Sequence, residues 1–234
     1  MRLLDKAPAL IFPLLLASQL SFAGIALSSI IIDMPPSSKP YTDITVFNDD
    51  KAANAYVIVE LYEVINPGTD HEQRRFVQDP KSVSLLISPN KFVILPGGRK
   101  QVRIVDIKGP GDSDRIYRAI FKPVVGDTEA ASTGVKIMIA YETLILRRPK
   151  QPDYTVQAKR QGRQLTFTHT GNSATKLESV YHCAQGQSLK QQNCTELKGA
   201  RLYADNKLTL TTPAGGEVFY ELVTADKRLK NSLR

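Results

Sequence analysis

Apolar and polar residues alternate with period two along most of the chain, and helical periodicity is nearly absent. The longest such run is 133–149, TGVKIMIAYETLILRRP. Val135, Ile137, Ile139 and Tyr141 fall on one face, and Lys136, Met138, Ala140 and Glu142 on the other. Apolar residues on both faces fit a strand with protein on each side. Such a strand can serve its own fold at one end and another protein's fold at the other. The same pattern also fits an ordinary central strand of a sandwich.

The remaining strands follow from the same alternation. In the first half they are predicted over 25–32, 41–48, 55–65, 84–88, 92–95, a run around Val102 and Ile104, and 116–124. The stretch 73–81 is polar and reads as a loop or a short edge strand. Two prolines break the chain after Asp33, and turns are expected at Asn48-Asp49-Asp50, Asn66-Pro67-Gly68-Thr69 and Pro96-Gly97-Gly98. About seven short strands with regular turn signals argue for an immunoglobulin-like sandwich. Arg147-Arg148-Pro149-Lys150-Gln151-Pro152 reads as a proline-containing linker, and a domain boundary is expected between 149 and 150. Beyond it, strands are predicted over 154–159, 164–169, 176–183, 200–203, 207–211 and 218–223. The tail from Asp226 is polar and expected to be loose. The fold class is therefore all-β, with one domain over 24–149 and a second over 150–234.

Composition adds an address. Arg2 and Lys6 open a positive start, 7–20 is an apolar stretch too short for a good membrane span, and Ser21-Phe22-Ala23 suits a signal peptidase. Residues 1–23 are thus expected to be a cleaved export signal, and no integral membrane segment is expected in the mature form. Losing Arg2, Lys6 and Asp5 takes the formal charge from +8 to +7. Lysines and arginines are scattered, with no basic stripe carrying interleaved aromatics, so a nucleic-acid partner is not expected. Cys183 and Cys194 are an even pair in an exported chain, which suggests a disulfide.

The chain offers little for catalysis. His71, His169 and His182 lack the spacing of a metalloprotease helix, and no cysteine–histidine pair resembles a nucleophile site. Asp112, Asp114 and Asp127 lack calcium-loop spacing. Pro96-Gly97-Gly98 is a hairpin turn and does not enter a helix. No metal site, no cofactor and no enzyme activity are expected.

Three segments carry a resemblance. SPNKFVILPGGRKQVRI, IYRAIF and the long strand ending RRP occur in this order, followed by a region with a Thr170-Gly171-Asn172 turn and two cysteines. Together they resemble the periplasmic chaperones of the chaperone–usher pathway that assembles bacterial pili. The likeness is greatest to the alternate branch, which serves colonisation-factor and common-pilus fimbriae. The resemblance implies two immunoglobulin-like sandwiches arranged as a boomerang, in the periplasm. It implies that pilus subunits, which lack their last strand, are completed by a strand lent from the first domain and then passed to an outer-membrane usher. Val135, Ile137 and Ile139 would be the inserted row. The subunit's terminal carboxylate would be met by Arg118, on the YR strand, and Thr133, with Lys136 in reserve. The familiar branch's Arg on the first strand and Lys on the donor strand have no match: 25–32 holds no cation and the region near Leu144 is apolar. Arg118 also fits an exposed arginine on a strand face. A structural pilus component or an exported immunoglobulin-like adhesion module would share the strands, the export signal and the disulfide.

Overall fold

The computed structural model describes residues 24–37, 39–77, 84–126, 137–186 and 194–234. The expected export signal, Thr133, Val135 and Lys136 lie outside these residues. Every regular element among the described residues is a β-strand.

The first half forms β1 (Ile25–Leu27), β2 (Ile31–Met34), β3 (Tyr41–Asn48), β4 (Ala55–Ile65), β5 (Gln73–Phe76), β6 (Leu85–Ser88), β7 (Lys91–Ile94), β8 (Arg99–Asp106), β9 (Arg115–Val124) and β10 (Tyr141–Arg147). One sheet runs β1-β3-β8-β6. The other runs β2-β10-β9-β4-β5, with β7 also paired to β4. Ile44, Val46, Val102 and Ile104 from the first sheet meet Val57, Val59, Phe121 and Ile145 from the second in one buried core. Each of these side chains contributes about 1.5–3 kcal/mol by leaving water.

Two expectations for this half need correction. The run 25–32 is two strands in two sheets: β1 pairs antiparallel with β3, and β2 pairs parallel with β10. The crossing falls at Ser28 and Ser29, whose hydroxyls offer local hydrogen bonds in place of the ladder. Ser28 Oγ accepts from Thr45 N at 3.0 Å, and Ser29 Oγ donates to Ile31 O at 2.6 Å. The run 133–149 is also not one strand within the described residues. β10 starts at Tyr141, opposite Phe121, and residues 137–140 lie outside any strand. The longest strand is β4, with 11 residues.

The second half forms β11 (Val156–Gln161), β12 (Gln164–His169), β13 (Thr175–Cys183), β14 (Thr195–Leu197), β15 (Arg201–Leu202), β16 (Lys207–Thr211), β17 (Glu217–Val223) and β18 (Arg228–Leu233). These make a sheet β11-β12-β16 and a sheet β14-β13-β17-β18, with β15 on β13. Leu165, Phe167, Leu177, Val180, Leu202, Val218 and Leu222 fill the space between them. The tail is not loose. β18 pairs with β17 from Val218↔Leu233 to Val223↔Arg228, and Thr224 closes the hairpin by accepting from and donating to residues of its own turn. Its polar composition is that of an exposed edge strand. Cys183 is bonded to Cys194, closing an 11-residue separation. A loop of this size stabilises by roughly 3 kcal/mol in the chain-entropy account.

The two sandwiches meet at a buried ionic junction. Arg147 and Arg148, read from the sequence as linker, are only 2% and 1% exposed. Arg148 grips Asp33 with two parallel donors, Nε to Oδ1 at 2.9 Å and Nη2 to Oδ2 at 2.6 Å. Its Nη1 reaches Asp114 Oδ2 at 3.0 Å and, in the second sandwich, Ala174 O at 2.9 Å. Asp114 in turn accepts from Ala174 N at 2.6 Å and Ser173 Oγ at 2.9 Å. Burial works against the Arg148 charge, but Asp33 and Asp114 outweigh it and hold the guanidinium above its ordinary range. Beside this network Val64, Ile116, Leu144 and Leu146 of the first sandwich pack on Ala174 and Tyr203 of the second. Against the same Tyr203 the β4–β5 turn docks: Asn206 Nδ2 donates to Pro67 O at 2.9 Å. Gly68 there has φ +71°, and a Cβ on it would stand 2.6 Å from Asn206 Nδ2. The close approach therefore requires glycine.

Arg148→Ala is expected to lower the free energy of unfolding in urea by about 3–5 kcal/mol, because Asp114 would be left buried without its cation. A loss below about 1 kcal/mol would show that the junction does not rest on this arginine.

Candidate functional site

β10 belongs to two environments. Ile145 lies in the first core at 0% exposure, and Tyr141 packs half-buried against the same core. The row continues backwards to Ile139 and Ile137, which are 53% and 63% exposed. Met138, between them, is half-buried and shares a small cleft with Gly24, Ile25, Tyr56 and Val124. An alternating apolar row thus begins inside the sandwich and ends in solvent. Two exposed isoleucines with no strand pairing are what a strand of another chain could cover and hydrogen-bond. Covering each would contribute about 1.5–3 kcal/mol.

The opposite face of this sheet grades from apolar to charged with distance from the junction. Strand register sets the rows. Leu146, Ile116 and Val64 stand side by side at the junction. The next row is Leu144, Arg118 and Tyr62, followed by Glu142, Ile120 and Glu60. Phe76 lies beside Tyr62, their rings 5.1 Å apart. Glu60 accepts from Lys122 at 2.6 Å and from the Tyr62 hydroxyl at 2.7 Å. These bonds, that from Lys122 first, hold its carboxyl below the usual range.

Arg118 stands in the middle of this face. Its side chain is 26% exposed, and Nη1 lies 3.2 Å from Glu142 Oε1. Glu142 Oε2 is simultaneously 2.6 Å from Arg74 Nη1. Arg118 Nε is buried and has no hydrogen-bond partner. Leaving a buried donor unpaired costs about 1–3 kcal/mol. Arg118 is therefore neither bare nor simply solvated. It is partly satisfied by a carboxylate of its own domain and keeps unused donor capacity.

Two residues of the second sandwich complete the surroundings. Tyr203 is 8% exposed, and burial pushes its hydroxyl above the usual range while Arg118 and Arg201 pull it back. Arg201, on β15, is half-buried, and its side chain has no hydrogen bond or ion pair among the described residues. Burial holds its guanidinium below the ordinary arginine range. Arg148 and Arg118 act in the same direction, against the pull of Tyr203 and Asp33.

Of the residues singled out from the sequence, Arg118 lies on the sheet face near the junction, and Ile137 and Ile139 lie on the exposed row before β10. Thr133, Val135 and Lys136 lie outside the described residues. Cys183 and Cys194 sit at the far end of β13, away from this face. Sequence reasoning missed Glu142, Arg201 and Tyr203. The signal available for Glu142 was a lone acidic residue inside the otherwise apolar run of β10. Arg201 had no signal, because its approach to Arg118 depends on how the sandwiches pack.

No family model matches the chain. A curated fimbrial protein of Escherichia coli, named as a component of CFA/I fimbriae, is 24% identical over 136 residues, which is 55% of this chain and 56% of that protein. The chain thus spans a little over half the length of this curated relative. Among solved structures, the class 5 fimbriae chaperone CfaA matches with a TM-score of 0.66 and 20% identity, covering 90% of this chain and 99% of that one. A chain from the complex of the Salmonella enterica SafA pilin with the SafB chaperone matches with a TM-score of 0.61 and 15% identity, covering 90% and 100%. At these identities the likeness establishes architecture. The chain has the fold of the fimbrial chaperones, two immunoglobulin-like sandwiches joined end to end.

Proposed function

We propose that this chain is a periplasmic chaperone that binds fimbrial subunits, completes their unfinished sandwich with its own strand, and delivers them to an outer-membrane usher. What supports this reading most is the row Ile137–Ile139–Tyr141–Thr143–Ile145, apolar apart from the buried Thr143, which leaves its own core at Tyr141 and stands exposed beyond it. Val135, Ile137 and Ile139 form the inserted row, with Val135 extending it by sequence alternation. Backbone hydrogen bonds supply the affinity and the alternate side chains supply the register. Arg118 anchors the subunit's terminal carboxylate, aided by Thr133, with Lys136 in reserve. The unused Nε of Arg118 supports that role. Export through a signal cleaved after Ala23 takes the protein to the periplasm. The structural relatives, a fimbrial chaperone and a chaperone–pilin complex, agree with the assignment.

A second reading, a structural fimbrial component, is favoured by one observation, the name of the curated relative. Periplasmic co-expression with a fimbrial pilin separates the two. The pilin is expected to accumulate only when this chain is present. Equal accumulation without it would favour the structural reading. Arg118→Ala is expected to weaken capture by about 2–5 kcal/mol with the fold intact, the usual cost of truncating one member of a buried charge pair. Unchanged capture would remove Arg118 from the site.

A further inference from the structure

The cations around Arg118 are not all paired. Arg74, Arg118, Arg148 and Arg201 supply four guanidiniums and Glu142, Asp33, Asp114 and Glu72 four carboxylates, but Glu72 makes no ion pair among the described residues and its Oε2 accepts from Gly68 N at 2.7 Å. Both oxygens of Asp33 are taken by Arg148, and Asp114 is spent on Arg148, Ser173 and the Ala174 backbone. Glu142 divides itself between Arg74 and Arg118. Among the described residues Arg201 is left without an anion. Its neighbour Leu202 points into the second core and Tyr203 into the junction, so β15 is rigidly seated by the residues after it. Tyr203, two residues after Arg201, packs on Leu144, which is the cross-strand neighbour of Arg118, so the two arginines approach the junction from opposite domains beside one tyrosine.

We propose that Arg201 is the second cation of the carboxylate site: with Arg118 it holds the terminal carboxylate of an extended partner segment across the domain junction, and Glu142 occupies Arg118 until that carboxylate arrives. This rests on the reading of Arg118 as an anchor given above. A carboxylate has two oxygens and accepts from several donors at once, so one group can satisfy both guanidiniums, including the idle Nε of Arg118. It would also give Arg201 the ion-pair partner it lacks among the described residues. Glu142, with a side chain 30% exposed, is free to turn to Arg74 alone when displaced. The site then reads the end of a chain only when both domains are in their joined arrangement.

The test uses the exported full chain and a ten-residue alternating valine–threonine peptide, either with a free C-terminus or amidated. Binding is followed by titration calorimetry and by the Nε–Hε NMR signals of Arg118 and Arg201. The free acid is expected to move both signals, and the amide neither. Arg201→Gln should weaken the free acid at least tenfold and leave the amide unchanged, with an unaltered melting temperature. If Arg201→Gln proves unstable, Arg201→Lys takes its place and is expected to show a smaller loss in the same direction. Glu142→Gln should tighten the free acid by removing the competitor. If only the Arg118 signal moves and Arg201→Gln binds like the parent chain, Arg201 is excluded while the Arg118 anchor stands. If the free acid and the amide are indistinguishable at both signals, the carboxylate site fails altogether.

Discussion

The geometry of this protein depends on one buried guanidinium. Arg148 enters the junction at 2% side-chain exposure, where an unpaired charge would be prohibitively costly. It is tolerated because carboxylates from two separate segments and a carbonyl from the other sandwich meet its donors. Each partner is fixed elsewhere: Asp33 lies on β2, which pairs with β10, and Asp114 is bonded to the turn that begins β13. An ion pair of this kind adds little net stability compared with apolar packing. What it fixes is direction, since a planar fork bonded on both edges tolerates few relative orientations. The apolar contacts of Leu146, Ile116 and Tyr203 and the docking of the Gly68 turn then complete a junction gripped at several points.

Arg148 and the strand it follows are continuous. β10 leaves the core at its start and enters the ionic junction at its end, so one seven-residue element ties the exposed isoleucines to the domain interface. Thr143 to Arg147 are buried on both faces, which anchors the strand firmly. Before Tyr141 the anchoring stops and the same alternation faces solvent. A monomer that exposes such a row risks indiscriminate pairing. Here the row is short, and its neighbours on the sheet's outer face are charged, with Arg74, Glu142, Arg118, Glu60 and Lys122 already paired among themselves. On the proposed reading, a partner brings apolar side chains for the isoleucines and a carboxylate for Arg118, whose Nε has no partner of its own.

Much of the fold was legible in the alternation. Val57, Val59 and Leu61 fell on one face of β4 and all three are in the core. The period-two rule reports which residues share a face, and a sandwich core is built from such faces. It does not report where a strand loses its neighbour. Residues 25–32 look uniform, yet two serines divide them between sheets. The tail after Asp226 looks like solvent-exposed chain because an edge strand is itself mostly exposed. The greatest miss was Arg148, whose surroundings of proline and lysine suggested a linker. Its partners come from segments 115 and 34 residues away in the chain, and no local pattern encodes that meeting. The site shows the same division. Arg118 could be picked out as a cation in an apolar strand, whereas Glu142 acquired meaning from register and Arg201 from the packing of one domain on another.

If the row before Tyr141 is held open for another chain, its backbone amides must be unprotected until a partner covers them. Hydrogen–deuterium exchange at residues 137–140, in the protein free and then bound to a fimbrial pilin, decides this. Fast exchange is expected in the free protein and slow exchange in the complex, with little change at 143–147, which are already buried and paired. Slow exchange at 137–140 in the free protein, or exchange there untouched by the pilin, would contradict strand donation.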